Sequence, residues 1–151
     1  MLSDEVYTLP MAPEARTYLE TQRVGVIAVE MPDGSPHAAT VHFAHTADPL
    51  QFIFLTGRGY RKAEPLLSGP NIRASFVVGA TEENKKTLQL DGIASLTSDD
   101  DLIDAYYAKF ADKDRAKLTQ EDIFFVFRPT WWRFTDYTTP GGKTVYSSKN
   151  Q

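Results

Sequence analysis

At 151 residues, with 42% hydrophobic and 24% charged residues, the chain has the size and composition of one globular domain. A net charge of −4 excludes a general nucleic-acid surface, and the absence of cysteine excludes a thiol nucleophile, a Cys-ligated zinc site and any disulfide framework. No apolar run reaches the ~18 residues of a membrane span, and residues 1–10 lack the basic and apolar regions of a signal peptide, so a cytoplasmic location without a membrane partner is expected.

Residues 1–10 read as an N-terminal arm of a single domain spanning 1–151. Pro13 can open a helix, and Ala15, Tyr18 and Leu19 then share a narrow apolar side, which predicts a helix over 13–22 lying outside a sheet. Residues 24–31 (VGVIAVEM) are a strand by β-branched content, Pro32 to Ser35 a turn, and residues 37–44 the returning strand. On that strand Thr40 and His42 share one face, Val41 and Phe43 the other.

Residues 50–71, LQFIFLTGRGYRKAEPLLSGPN, are the stretch around which the rest of the chain is organised. An aromatic and β-branched strand runs to Thr56, glycines at 57 and 59 mark a turn, and Ala63, Leu66 and Leu67 give the next segment an apolar side. Arg58, Arg61 and Lys62 then fall near a helix N-terminus, where the macrodipole disfavours cations unless an anion sits among them. The cluster reads either as a solvated basic turn or as a site for one phosphate-sized ligand. Pro65 is tolerable only in or just after a first helical turn.

Residues 72–78 and 87–97 form two further strands around a polar loop, and strands at this spacing predict an antiparallel barrel. Residues 98–110 are the clearest helix, with a capping-box-like start at Ser98 and Asp101 and an apolar face including Leu102, Tyr106 and Phe110. The acidic run from Asp99 to Asp101 complements the helix dipole and needs no metal. IFFVF at 123–127 is apolar on both sides and predicts a buried central strand. Pro129 marks a bend before a last strand at 131–135, with Trp131 and Trp132 pointing opposite ways, and residues 138–151 read as a polar, mobile tail.

The other local motifs fail on context. Lys143-Thr144 lacks the first glycine and the helix of a phosphate-binding loop, and Gly57-Arg58-Gly59 has Lys62 where a dinucleotide fingerprint needs glycine. His37, His42 and His45 lie on one strand and its exit without an acidic partner, so no metal is expected.

Phe54-Leu55-Thr56, Tyr60-Arg61-Lys62-Ala63 and Gly69-Pro70-Asn71-Ile72 resemble the aromatic-x-Thr, Ser-Arg-Lys and Asn-Pro-x-Val pattern of the pyridoxamine 5'-phosphate oxidase-like flavin-binding split barrels. Tyr60 departs from the family's small hydroxyl residue. The resemblance implies a mainly β, α+β fold: an antiparallel split β-barrel of six to seven strands with flanking helices, forming a homodimer with FMN at the interface. Thr56, Tyr60, Arg61 and Lys62 would hold the phosphate, with Leu55 also against the cofactor, and Thr40, Val41 and His42 would meet the ring, with Thr87 and Gln89 reaching it, often from the partner subunit. His45 and Trp131 are candidates for substrate contact.

The implied activity is an FMN-dependent oxidoreductase acting on an unidentified small molecule, with a nicotinamide donor. The family also contains flavin or haem binders without turnover and deazaflavin-dependent reductases. The C-terminal RPTWWRFTDY has no histidine and the 98–110 helix opens with aspartates, so the chain is expected to lie in the general stress protein and flavin reductase-like branch. It is not expected to be a genuine pyridoxamine phosphate oxidase. Its substrate is expected to be neutral or weakly charged, because those aspartates would oppose an anion.

Overall fold

The computed structural model describes residues 11–79 and 81–148; the N-terminal arm expected at 1–10 lies outside them. Helix α1 (Pro13–Thr21) leads into β1 (Val24–Glu30) and β2 (Pro36–His42), then β3 (Ala44–Ala47) and β4 (Leu50–Gly57). A 3-10 turn (Arg61–Ala63) and α2 (Glu64–Ser68) connect to β5 (Ile72–Val78) and β6 (Lys86–Thr97). Helix α3 (Asp100–Lys109), β7 (Asp122–Asp136) and β8 (Thr144–Ser147) complete the chain. No helix among the described residues is long and apolar enough to cross a membrane.

The strands form one antiparallel sheet in the order β2-β1-β5-β6-β7-β4-β3, with β8 paired to β7. The strand expected over 37–44 is in fact two: β2 ends at His42, and the chain crosses through Phe43 to begin β3 at the other end of the sheet. That one-residue crossing holds the two sheet edges together, so the sheet curls into a split barrel.

The barrel interior is aromatic. Phe43, Phe52, Phe54, Phe76, Phe125 and Phe127 are fully buried in it. Ala15, Tyr18 and Leu19 belong to the same cluster, so α1 packs into the barrel core rather than lying outside the sheet. The Tyr18 hydroxyl donates to Asn84 Oδ1 at 2.5 Å, and burial pushes the phenol up to about 12.

IFFVF is central: β7 lies between β6 and β4. Phe125 and Phe127 face the barrel, while Phe124 and Val126 lie in a second cluster under α3 with Tyr106 and Phe110. The apolar surface of this strand is therefore covered within one chain and does not itself call for a dimer interface. The expected break at Pro129 is a bulge inside one fifteen-residue strand, where the register shifts between Asp91 and Gly92. The extra residue changes side-chain parity, so Trp132 and Phe134 point inward on the same side as Phe125 and Phe127. Gly92 is required there, since a Cβ would lie 2.1 Å from the Arg128 carbonyl oxygen. The tail expected to be mobile contains β8, whose Tyr146 ring stacks on Phe134 at 6.2 Å.

Helix α3 is capped by Asp99, not Ser98: its carboxylate accepts from the backbone N–H of Asp101 at 2.9 Å and of Leu102 at 3.4 Å. Asp99→Ala should cost about 1 kcal/mol, roughly 2–4 °C in Tm for a domain of this size, while Ser98→Ala should be near neutral. Thermal unfolding of the two variants checks the assignment, and equal losses would contradict it.

Candidate functional site

The turn after β4 separates its three cations. Arg58 is tied to the loop before β7, its backbone N–H donating to Glu121 O at 2.7 Å and its Nε to Gln120 O at 2.6 Å. Arg61 is exposed and close enough to the β1–β2 turn to add a small share to the lowering of the Asp33 pKa, which the Ser35 hydroxyl dominates. Lys62 turns inward, and burial holds its ammonium below its usual value. The helix expected at the cations starts only at Glu64, after the 3-10 turn, and has five residues, so it supplies no strong dipole to them.

Lys62 opens onto a cleft of about 300 Å³. Thr40, Val41 and His42 of β2 form one wall, and Leu55 and Thr56 of β4 another, with Tyr60 beside Lys62. Seven of the residues expected around FMN thus meet in one place. The Lys62 Nζ lies 4.5 Å from the centroid of the exposed Tyr60 ring. That ring lies against Gly57, where a Cβ would come within 3.2 Å.

The Thr56 hydroxyl is the most informative atom. It is 6% exposed and Oγ1 has no hydrogen-bond partner in the structure. A buried polar atom left unpaired costs about 1–3 kcal/mol, which a ligand acceptor in the cleft would recover. Among the described residues the ion pairs are Arg73–Glu30 and Arg115–Asp104, so Lys62 is not neutralised by a carboxylate either. A buried hydroxyl and an uncompensated ammonium lining one cleft suit a phosphate, so the residues present fit the phosphate end of FMN.

The helix side of the cleft comes from Tyr106 of α3 and from Lys113 in the turn beyond it. Neither is marked in the sequence: Tyr106 belongs to the apolar face of the helix, and Lys113 lies in a charged stretch with no distinguishing pattern. The His42 imidazole is held below its usual pKa, first by burial and then by Lys113 and Arg23, with Asp112 opposing. Lys109 is pushed down to about 8 by burial and by Arg23; its Nζ donates to Gln22 O at 2.5 Å and lies 3.9 Å from the Phe43 ring centroid. This end is therefore cationic, because the acidic run at Asp99 to Asp101 belongs to the far end of α3. The electrostatic reason for expecting a neutral substrate does not hold.

The other expected residues lie outside the cleft lining. His45 is on β3, opposite Phe52, because the chain changes sheet edge after His42. Thr87, Gln89 and Trp131 share the outward side of the β6–β7 pair, with Gln89 opposite Arg133 and Asp91 opposite Trp131. No group of three or more His, Cys, Asp or Glu side chains among the described residues could hold a metal. A larger hollow of about 680 Å³ lies over β1, β5 and β6. Its charged side chains are partnered, Arg73 with Glu30 and Asp91 with the Ser75 hydroxyl at 2.7 Å, so it presents less unmet chemistry than the smaller cleft.

A family model described as Pyridoxamine 5'-phosphate oxidase matches residues 11–136. Comparison with curated proteins found no match. Among solved structures, the chain is similar to a pyridoxamine 5'-phosphate oxidase-related, FMN-binding protein from Nostoc punctiforme PCC 73102, at 16% identity and TM-score 0.67, covering 92% of this chain and 91% of that one. It is similar to HutZ, the heme storage protein from Vibrio cholerae, at 20% identity and TM-score 0.63, with 81% and 90% covered. A heme-binding protein from Mycobacterium smegmatis matches at 19% identity and TM-score 0.65, with 91% and 60% covered. At these identities the likeness is one of fold.

Proposed function

This chain belongs to the pyridoxamine 5'-phosphate oxidase family, and from that premise we propose that it binds FMN in the β2–β4 cleft and is a flavin-dependent oxidoreductase. The observation that carries the reading is the buried, unpartnered Thr56 hydroxyl on the cleft that Lys62 also lines. Thr56 and Lys62 hold the phosphate, with Tyr60 alongside and Arg61 able to swing in from solvent. Thr40, Val41, His42 and Leu55 support the ring. When bound, FMN supplies two-electron chemistry, while the protein orients it and limits water around it.

Thr87, Gln89 and Trp131 take part only if a second copy brings its β6–β7 face to this cleft, so the site is completed in a homodimer. A nicotinamide donor and an unidentified small molecule are the reactants. Deazaflavin binding would use the same phosphate groups.

Haem is the second reading. His42 lines the cleft with its pKa lowered, so its imidazole is neutral and able to ligate iron near neutral pH.

Titration with FMN, haem and a deazaflavin, followed by absorption and light scattering, separates these. FMN should bind at micromolar concentration with bands near ~370 and ~450 nm, in a particle of dimer mass. Haem binding without FMN binding would reverse the cofactor assignment, and a flavin-loaded monomer would contradict the shared site.

A further inference from the structure

We propose that Lys113, seated on the Tyr106 hydroxyl at the His42 end of the cleft, compensates the negative charge that a bound flavin acquires on reduction. The inference rests on the FMN reading and extends it to a residue outside the phosphate site.

Two lysines reach this cleft from opposite sides. Lys62 follows β4 and contacts the Tyr60 ring. Lys113 follows α3, and its Nζ donates to the Tyr106 hydroxyl at 3.0 Å and lies 5.1 Å from the Phe110 centroid. His42 packs edge-on against that same Phe110 ring at 5.6 Å. Lys113 thus stands at the His42 end, and Lys62 beside Tyr60.

Tyr106 makes a firm post for it. The residue is 1% exposed, and its ring is fixed by Phe110 at 4.8 Å and Phe124 at 5.6 Å. Because its oxygen accepts from Lys113, its own proton remains available to an acceptor in the cleft. An apolar helix face alone would be served by phenylalanine. A hydroxyl paired to an ammonium, both lining the cleft, instead directs two donors toward one anionic group. The other charges facing this end are Arg23, before β1, and Lys109, at the end of α3, with the exposed Asp112 carboxylate opposing them, so the balance is positive.

Negative charge arises there in flavin chemistry. A dihydronicotinamide that gave up a hydride, two electrons and one proton, and left as the nicotinamide cation, would pass one net negative charge to the cleft that Lys113 lines. A cation near the ring stabilises the reduced state over the oxidised one, whereas Lys62 at the phosphate stabilises both equally.

The experiment measures the two-electron midpoint potential of bound FMN at fixed pH, with oxidised FMN affinity, in wild type, Lys113→Gln, Lys113→Arg and Tyr106→Phe. Lys113→Gln should lower the ratio of reduced to oxidised FMN affinity about tenfold, a shift of about 30 mV to more negative potential. Its affinity for oxidised FMN should fall less than its affinity for reduced FMN. Lys113→Arg should keep the potential, and Tyr106→Phe, which loosens the lysine without removing charge, should give a smaller shift in the same direction. An unchanged potential in a folded, FMN-loaded Lys113→Gln protein overturns the inference alone. Failure of wild type to bind FMN overturns it together with the cofactor reading, and an equal potential shift in Lys113→Arg would reduce Lys113 to a structural role.

Discussion

Lys62→Ala is expected to weaken FMN binding about ten- to hundredfold, because a charge-assisted contact to phosphate is worth roughly 1.5–3 kcal/mol. Riboflavin, which has no phosphate, should bind the variant and the wild type alike. The difference between the two ligands is the decisive quantity, since Lys62 also packs on Tyr60 and could act through the turn. Thr56→Val keeps the shape of the side chain and removes the hydroxyl. If the hydroxyl waits for phosphate, this substitution should also lower FMN affinity, and it should raise the stability of the ligand-free protein because it removes an unpaired buried polar atom. Isothermal titration with both flavins measures this. Equal losses for FMN and riboflavin in Lys62→Ala would assign Lys62 to the fold, and unchanged FMN affinity would leave the turn as a solvated basic surface.

Phe76→Ala should cost about 3–5 kcal/mol, the largest stability loss expected here for one substitution. Its ring is fully buried and is shared by both halves of the barrel: Phe54 lies at 5.1 Å, Phe43 and Phe52 at 5.3 Å, and Phe127 at 6.2 Å. Removing it empties the centre of the aromatic cluster, and the surrounding residues, fixed on separate strands, cannot all move in to fill the space.

The same ring presses on Gly25 of β1, where a Cβ would lie 2.6 Å from it and 2.7 Å from the Val77 carbonyl oxygen. Gly25→Ala should therefore be strongly destabilising alone and less so in the Phe76→Ala background, with the backbone clash remaining. Urea unfolding of the two single variants and the double variant tests this. A loss below about 1 kcal/mol for Phe76→Ala would mean that the ring is not close-packed.

Periodicity by itself determined most of the elements, because alternation and apolar runs are written along the chain. Helices α1 and α3, strands β1, β4, β5 and β6, and the central placement of IFFVF follow from residue types alone, and the Phe54 to Ile72 motif was enough to indicate the fold family. What escaped were features that depend on partners distant in sequence. The break at Phe43 exists because the chain must cross between sheet edges, and nothing local distinguishes it from a continuing strand. The bulge opposite Gly92 joins two apparent strands into β7 by a register shift that only the β6 pairing reveals. Asp99 outcompeted Ser98 as the cap because cap choice depends on where the chain leaves β6. The charge of the cleft was likewise a tertiary property: the aspartates and Lys113 share one stretch of sequence, but α3 holds them at opposite ends, and only the packing of Tyr106 and Phe110 against β2 and β7 turns the lysine rather than the carboxylates toward the cleft.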